Sequence, residues 1–113
     1  MQYRPGIGKS YSDREKLSLI YVDDNHLMLD VMKHFLERDQ TIDVQTFLSP
    51  KNAISYLKTH PMDLILSDYE MPDMNGAEFL LHLRSQGINT PFILYTSNNH
   101  EEISADIFKQ EYV

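Results

Sequence analysis

The chain contains no cysteine. Disulfides, zinc thiolates and thiol nucleophiles are therefore excluded, and the absence fits a reducing compartment. Long apolar runs are missing too. Leu19-Ile20-Tyr21-Val22 and Pro91 to Tyr95 fall far short of the roughly 20 residues a membrane-spanning helix needs. No apolar stretch resembling a signal peptide opens the chain, so a cytoplasmic protein without membrane contact is expected. Positive charge is scarce: 10 basic residues face 17 acidic ones, for a net charge of −7. Binding to a phosphate backbone needs clustered Lys and Arg, so this domain is not expected to bind nucleic acid itself. No internal repeat or low-complexity tract occurs. What is present, 113 residues with 42% apolar and 24% charged, suits one globular domain.

Residues 1–16 hold two glycines, a proline and no periodic apolar pattern, and read as a flexible leader or linker. Gly8-Lys9-Ser10 has the ending of a phosphate-binding loop, but Tyr3 stands where its first glycine belongs. A dinucleotide fingerprint fails likewise, because Tyr11 occupies its third glycine position. From Leu17 the pattern is regular, and the domain is expected over residues 17–113. Leu17 to Val22 suits a buried parallel strand. Met28, Val31, Met32, Phe35 and Leu36 recur at helical spacing and predict one buried helix face, capped by Asp24 or Asn25. Ile42, Val44 and Thr46 alternate with Asp43 and Gln45, as in a half-exposed edge strand. Ser49-Pro50 starts a helix with Ala53, Ile54 and Leu57 inward. Leu64-Ile65-Leu66 is a third strand ending at Ser67-Asp68. Phe79, Leu80 and Leu83 share the face of a third helix that Gly87 stops. Pro91 to Tyr95 is a fourth strand, and Glu101 to about Gln110 a fourth helix. This alternation predicts an α/β fold, a doubly wound parallel sheet with helices on both faces.

Ligands of such sheets bind outside the carboxyl ends of the strands. Asp23 and Asp24 end strand one, Asp68 ends strand three, and Thr96-Ser97 ends strand four. Three close carboxylates repel and need a proton or cation. An oxygen-only site on an open rim suits Mg²⁺, which would neutralise an incoming phosphoryl group while a carboxylate attacks it. Thr96 could donate its hydroxyl to a phosphoryl oxygen. Each residue also has a plainer reading: Asp23-Asp24 as a solvated helix cap, Asp68 as a turn former, Thr96 as a further cap. Those readings do not account for all of them falling at one rim.

Asp23-Asp24, then Asp68-Tyr69-Glu70-Met71-Pro72-Asp73-Met74-Asn75-Gly76, then Thr96 resemble the receiver domain of two-component response regulators, which has a flavodoxin-like fold. The resemblance covers Leu17 to about Val113. It implies that Asp68 takes a phosphoryl group from a phosphohistidine on a histidine kinase or phosphotransfer protein, in a phosphorelay that switches contacts with partners. It also implies that Asp24, Asp68 and the backbone carbonyl of Glu70 bind Mg²⁺, that Asp23 acts through bound water, and that Thr96 is the switch hydroxyl. Any enzymatic activity would be limited to self-phosphorylation and slow autodephosphorylation, with fusion to a kinase or other output domain outside this chain left open.

The family pattern also has a lysine ending a fifth strand, usually followed by proline. Lys109 lies inside the predicted fourth helix with no proline after it, and Tyr112 is a poor match to the switch aromatic. A receiver lacking its fifth strand and fifth helix in this chain, C-terminally truncated, is therefore expected. Its fourth strand would be an apolar edge able to template a homodimer. The missing lysine supports a competing reading, a receiver-like interaction module not regulated by phosphorylation. A Mg²⁺-dependent aspartyl phosphohydrolase is a third, but it requires Asp-x-Asp after strand one, and the chain has Asp23-Asp24-Asn25-His26. The five histidines, His26, His34, His60, His82 and His100, form no i, i+4 ligand pair.

Overall fold

Short apolar segments separated by well-capped helices leave one economical arrangement, a parallel sheet covered on both sides. The computed structural model describes residues 16–95. Their order is β1 (Leu17–Val22), α1 (His26–Leu36), β2 (Ile42–Phe47), α2 (Pro50–Leu57), β3 (Leu64–Asp68), α3 (Gly76–Ser85) and β4 (Phe92–Tyr95). All three ladders are parallel, in the order β2-β1-β3-β4. The predicted α/β architecture is observed. The leader up to residue 15, Thr96, His100, the fourth predicted helix, Lys109 and Tyr112 lie outside the described residues.

Alternation along the strands builds two cores. Ile20, Val22 and Ile65 face α2 and α3, where they meet Ala53, Ile54, Leu57, Phe79 and Leu83. Leu19, Tyr21 and Val44 face the other way, toward Leu29 of α1. Central strand β1 is buried on both faces from Leu19 to Val22, which is why it reads as an unbroken apolar run.

The helix ends follow local chemistry. Asn25 Oδ1 accepts the Met28 N–H at 3.1 Å, so Asn25 rather than Asp24 is the cap. Ser49 caps α2 with Pro50 in its first turn. Asn75 and Glu78 form a reciprocal capping box at the start of α3. The same helix ends in a Schellman motif: Gly87 has φ 77°, its N–H reaches the Arg84 carbonyl, and the Ile88 N–H reaches that of Leu83.

The predicted inner face of α1 needs correction. Leu29 is buried, and Met32 and Leu36 pack beside it, but Val31 and Phe35 are 49% and 58% exposed. The helix is rotated because Lys33 and the C-cap residue Glu37 engage edge strand β2. Lys33 Nζ donates to the Val44 carbonyl at 2.6 Å, and Glu37 accepts the Val44 N–H at 2.9 Å. A backbone edge that would otherwise be open is thereby satisfied. Those hydrogen bonds, Val44 first and then Lys33, hold the Glu37 carboxyl below the usual carboxylate range. With Lys33 and Glu37 turned to the strand, Val31 and Phe35 point outward, and the Arg38 guanidinium lies over the Phe35 ring.

After β1 the chain steps to β2 on one side, then crosses to β3 on the other. Divergent connections at this switch point open a crevice above the carboxyl ends of β1 and β3.

Candidate functional site

Asp23 directly follows β1 and Asp68 is the last residue of β3, so the β1–β3 register delivers both to one rim. One carboxylate oxygen from each of Asp23, Asp24 and Asp68 lies within 4.8 Å of the others. The crevice around them has a volume of about 660 Å³, and Met28, Glu70, Asn75 and Tyr95 also line it. Three of the residues expected at a metal site are thus brought together, and Glu70 stands at the same crevice. Thr96 follows Tyr95, the residue paired with Asp68 in the β3–β4 ladder, and itself lies outside the described residues.

The three acids have different surroundings. Asp23 is buried, at 3% exposure, and both of its oxygens are engaged. Oδ2 accepts the Tyr21 hydroxyl at 2.6 Å and Oδ1 accepts the Asn25 N–H at 3.0 Å. Asp24 is exposed, and Asp68 is intermediate. Burial, followed by repulsion from Asp23, pushes the Asp68 carboxyl up from 3.8 to about 6, against the opposing pull of backbone hydrogen bonds from Tyr69 and Glu70. Oxygen-only donors at one rim, with one carboxyl raised by burial and then by repulsion from its neighbours, match what a small hard dication relieves. The donor set fits Mg²⁺.

Tyr21 is a member of this site that sequence reasoning did not single out. It is wholly buried, and its hydroxyl pKa is raised by burial, by the hydrogen bond to Asp23 and by the nearby carboxylates. It therefore remains a donor. The available signal was its i, i+2 relation to Asp23, which puts both side chains on the same side of an extended segment. Tyr21→Phe should strand Asp23 Oδ2 and lower metal-free stability by about 1–3 kcal/mol. Saturating Mg²⁺ should narrow that deficit, and urea unfolding of both proteins with and without Mg²⁺ measures it.

Gly76 places the loop against the acceptor strand. Its N–H donates to the Tyr69 carbonyl at 2.7 Å. A Cβ there would sit 2.6 Å from the Asp68 carbonyl oxygen and would also collide with Leu94. Between these residues Asp73 has φ 71°, and the Met74 N–H closes a three-residue turn onto the Pro72 carbonyl at 2.7 Å. Aspartate tolerates this left-handed geometry better than most residues.

Comparison with known proteins decides the family. The response regulator receiver domain matches residues 19–112. The chain belongs to this family. Among curated relatives, the receiver is 37% identical over 84 residues to a protein-glutamate methylesterase/protein-glutamine glutaminase of Clostridium acetobutylicum, covering 74% of this chain and 24% of the relative. It is 29% identical over 92 residues to the nitrate/nitrite response regulator protein NarL of Escherichia coli, covering 80% of this chain and 43% of the relative. The chain thus spans less than half of either relative. Among solved structures, chemotaxis protein CheY4 of Vibrio cholerae superposes with a TM-score of 0.77 at 26% identity, covering 85% of this receiver and 81% of that chain. No helix among the described residues is long and apolar enough to cross a membrane.

Proposed function

We propose that this receiver accepts a phosphoryl group on Asp68 from a phosphohistidine of a histidine kinase or phosphotransfer protein. The convergence of Asp23, Asp24 and Asp68 on one open rim carries the reading. An Asp68 carboxylate oxygen attacks phosphorus, the imidazole N–P bond breaks, and an aspartyl phosphate forms while the imidazole leaves. Asp24, Asp68 and the Glu70 carbonyl would hold Mg²⁺, with Asp23 acting through bound water. When bound, Mg²⁺ supplies charge neutralisation for the phosphoryl oxygens.

The protein's own residues supply position. Tyr21 and the Asn25 N–H hold Asp23 in one orientation. Gly76 lets the loop from Tyr69 to Asn75 fold closely over the end of β3. Thr96 is assigned the switch hydroxyl that engages the phosphoryl group after transfer, changing the surface offered to partners. Support for these roles comes from the family membership and the shared rim.

A small-molecule phosphodonor with Mg²⁺ should give a single phosphoryl adduct by intact mass. The adduct should be absent from Asp68→Asn and from reactions with excess chelator. A chain extended past Val113 that forms no Asp68-dependent adduct would instead favour an interaction module that does not signal by phosphate. Sustained turnover of phosphate esters would favour the phosphohydrolase reading.

A further inference from the structure

A second cavity, of about 420 Å³, lies behind the acceptor loop, between α2 and the turn at Pro72–Met74. Its size falls within the roughly 300–1,000 Å³ usual for binding pockets. Its walls include Pro50 and Ile54 of α2, Pro72 and Met74 of the loop, and His82 of α3, with Lys51 and Lys58 at α2. The two lysines are its distinctive feature. Among the described residues, Lys16 and Lys33 are in ion pairs, Arg38 stacks on Phe35 and Arg84 donates to the Ile88 carbonyl. Lys51 and Lys58 have no such partner among them, and both are exposed. In a chain of net charge −7, two unpaired cations border one partly apolar cavity.

We propose that this cavity docks an acidic segment of a partner protein, with an apolar side chain seated on Ile54 and Met74 and carboxylates on Lys51 and Lys58. Spacing supports a peptide. Lys58 lies seven positions after Lys51, a helical rise of about 10 Å. A peptide in the polyproline II conformation has three residues per turn at about 3.1 Å each, so residues three apart share a face about 9 Å apart. The matching pattern is therefore acid, apolar, any residue, acid. Among the described residues Asp73 is the single acidic one lining the cavity, and the lysines outnumber it. Pro72 also lines the acid crevice, so the docked segment touches the loop that carries Glu70.

The test is an NMR titration of the full chain with acetyl-Glu-Leu-Ala-Glu-amide, and with its Gln-Leu-Ala-Gln counterpart. Saturable shifts are expected in residues 50–58, 72–74 and 82 with the acidic peptide alone. Lys51→Gln/Lys58→Gln should weaken binding about tenfold, as loss of two exposed ion pairs allows. Asp73→Asn, which tolerates the same left-handed backbone, should tighten it about two- to threefold by removing a like charge. Both variants change exposed residues, so their folds can be verified from the remaining resonances. Equal binding of the neutral peptide, shifts scattered away from these residues, or shifts that follow protein rather than peptide concentration would each overturn the assignment. None of these measurements requires Mg²⁺ or phosphoryl transfer, so they stand or fall separately from the role of Asp68.

Discussion

Gly76→Ala is expected to lower stability by about 3 kcal/mol, at the upper end of what overpacking costs. The added methyl would meet a flexible side chain, Leu94, and a backbone oxygen, that of Asp68. The first can rotate away. The second belongs to a strand hydrogen-bonded on both sides, so either the start of α3 or the end of β3 must move. Leu94→Ala in the same chain should therefore recover only part of the loss. Gly87→Ala is the control. Nothing lies within 4 Å of its added Cβ, and only the positive φ is costly, about 1 kcal/mol. Urea midpoints with unchanged slopes would measure all three. A Gly76→Ala midpoint equal to that of the parent would show that the loop has room to spare. The same variant should also slow phosphoryl adduct formation, because the displaced atoms adjoin the acceptor carboxyl.

Asp68→Asn is expected to make the metal-free protein more stable at neutral pH. The Asp68 carboxyl rises from 3.8 to about 6 on folding, through burial and then the charge of Asp23. Between those two values the folded state binds more protons than the unfolded state, so this group's contribution to stability falls as pH rises, and the deficit is complete above pH 6. One pKa unit corresponds to about 1.4 kcal/mol. Asp68 is only partly buried, and solvent screening reduces the total to on the order of 1–2 kcal/mol.

Asparagine removes this contribution, so its stability curve should lack the decline between pH 4 and 6. Mg²⁺ should reverse the ranking. A ligand at 100 times its Kd stabilises by about 2.7 kcal/mol, and the parent, with three carboxylates, should gain more than the variant. Thermal or urea unfolding at pH 4.5 and 7, with and without Mg²⁺, checks both parts. Parallel pH curves for the two proteins would show that folding does not raise the Asp68 carboxyl.

Much of the fold was legible because it rests on local signals. The β1 and β2 boundaries, the Ser49-Pro50 start of α2 and the Gly87 stop all follow from alternation, capping and φ preference within a few residues. The acid site was legible for a different reason. Parallel topology sends every strand's carboxyl end to the same rim, so Asp23, Asp24 and Asp68 could be grouped from sequence position alone.

The inner face of α1 was not legible. Met28, Val31, Met32, Phe35 and Leu36 satisfy helical periodicity, as do Leu29, Met32 and Leu36, and hydrophobicity does not distinguish the two stripes. The choice was made by Lys33 and Glu37, which close the edge of β2 at Val44.

The sequence by itself determined which residues form the rim of this receiver, since order and strand ends specify that. Tertiary structure decided their chemical states. Tyr21 reaches Asp23, Asp23 is buried, and Asp68 is left partly buried beside it with a raised pKa. Distance and burial between segments 45 residues apart set those states, and neither quantity exists until the sheet is assembled.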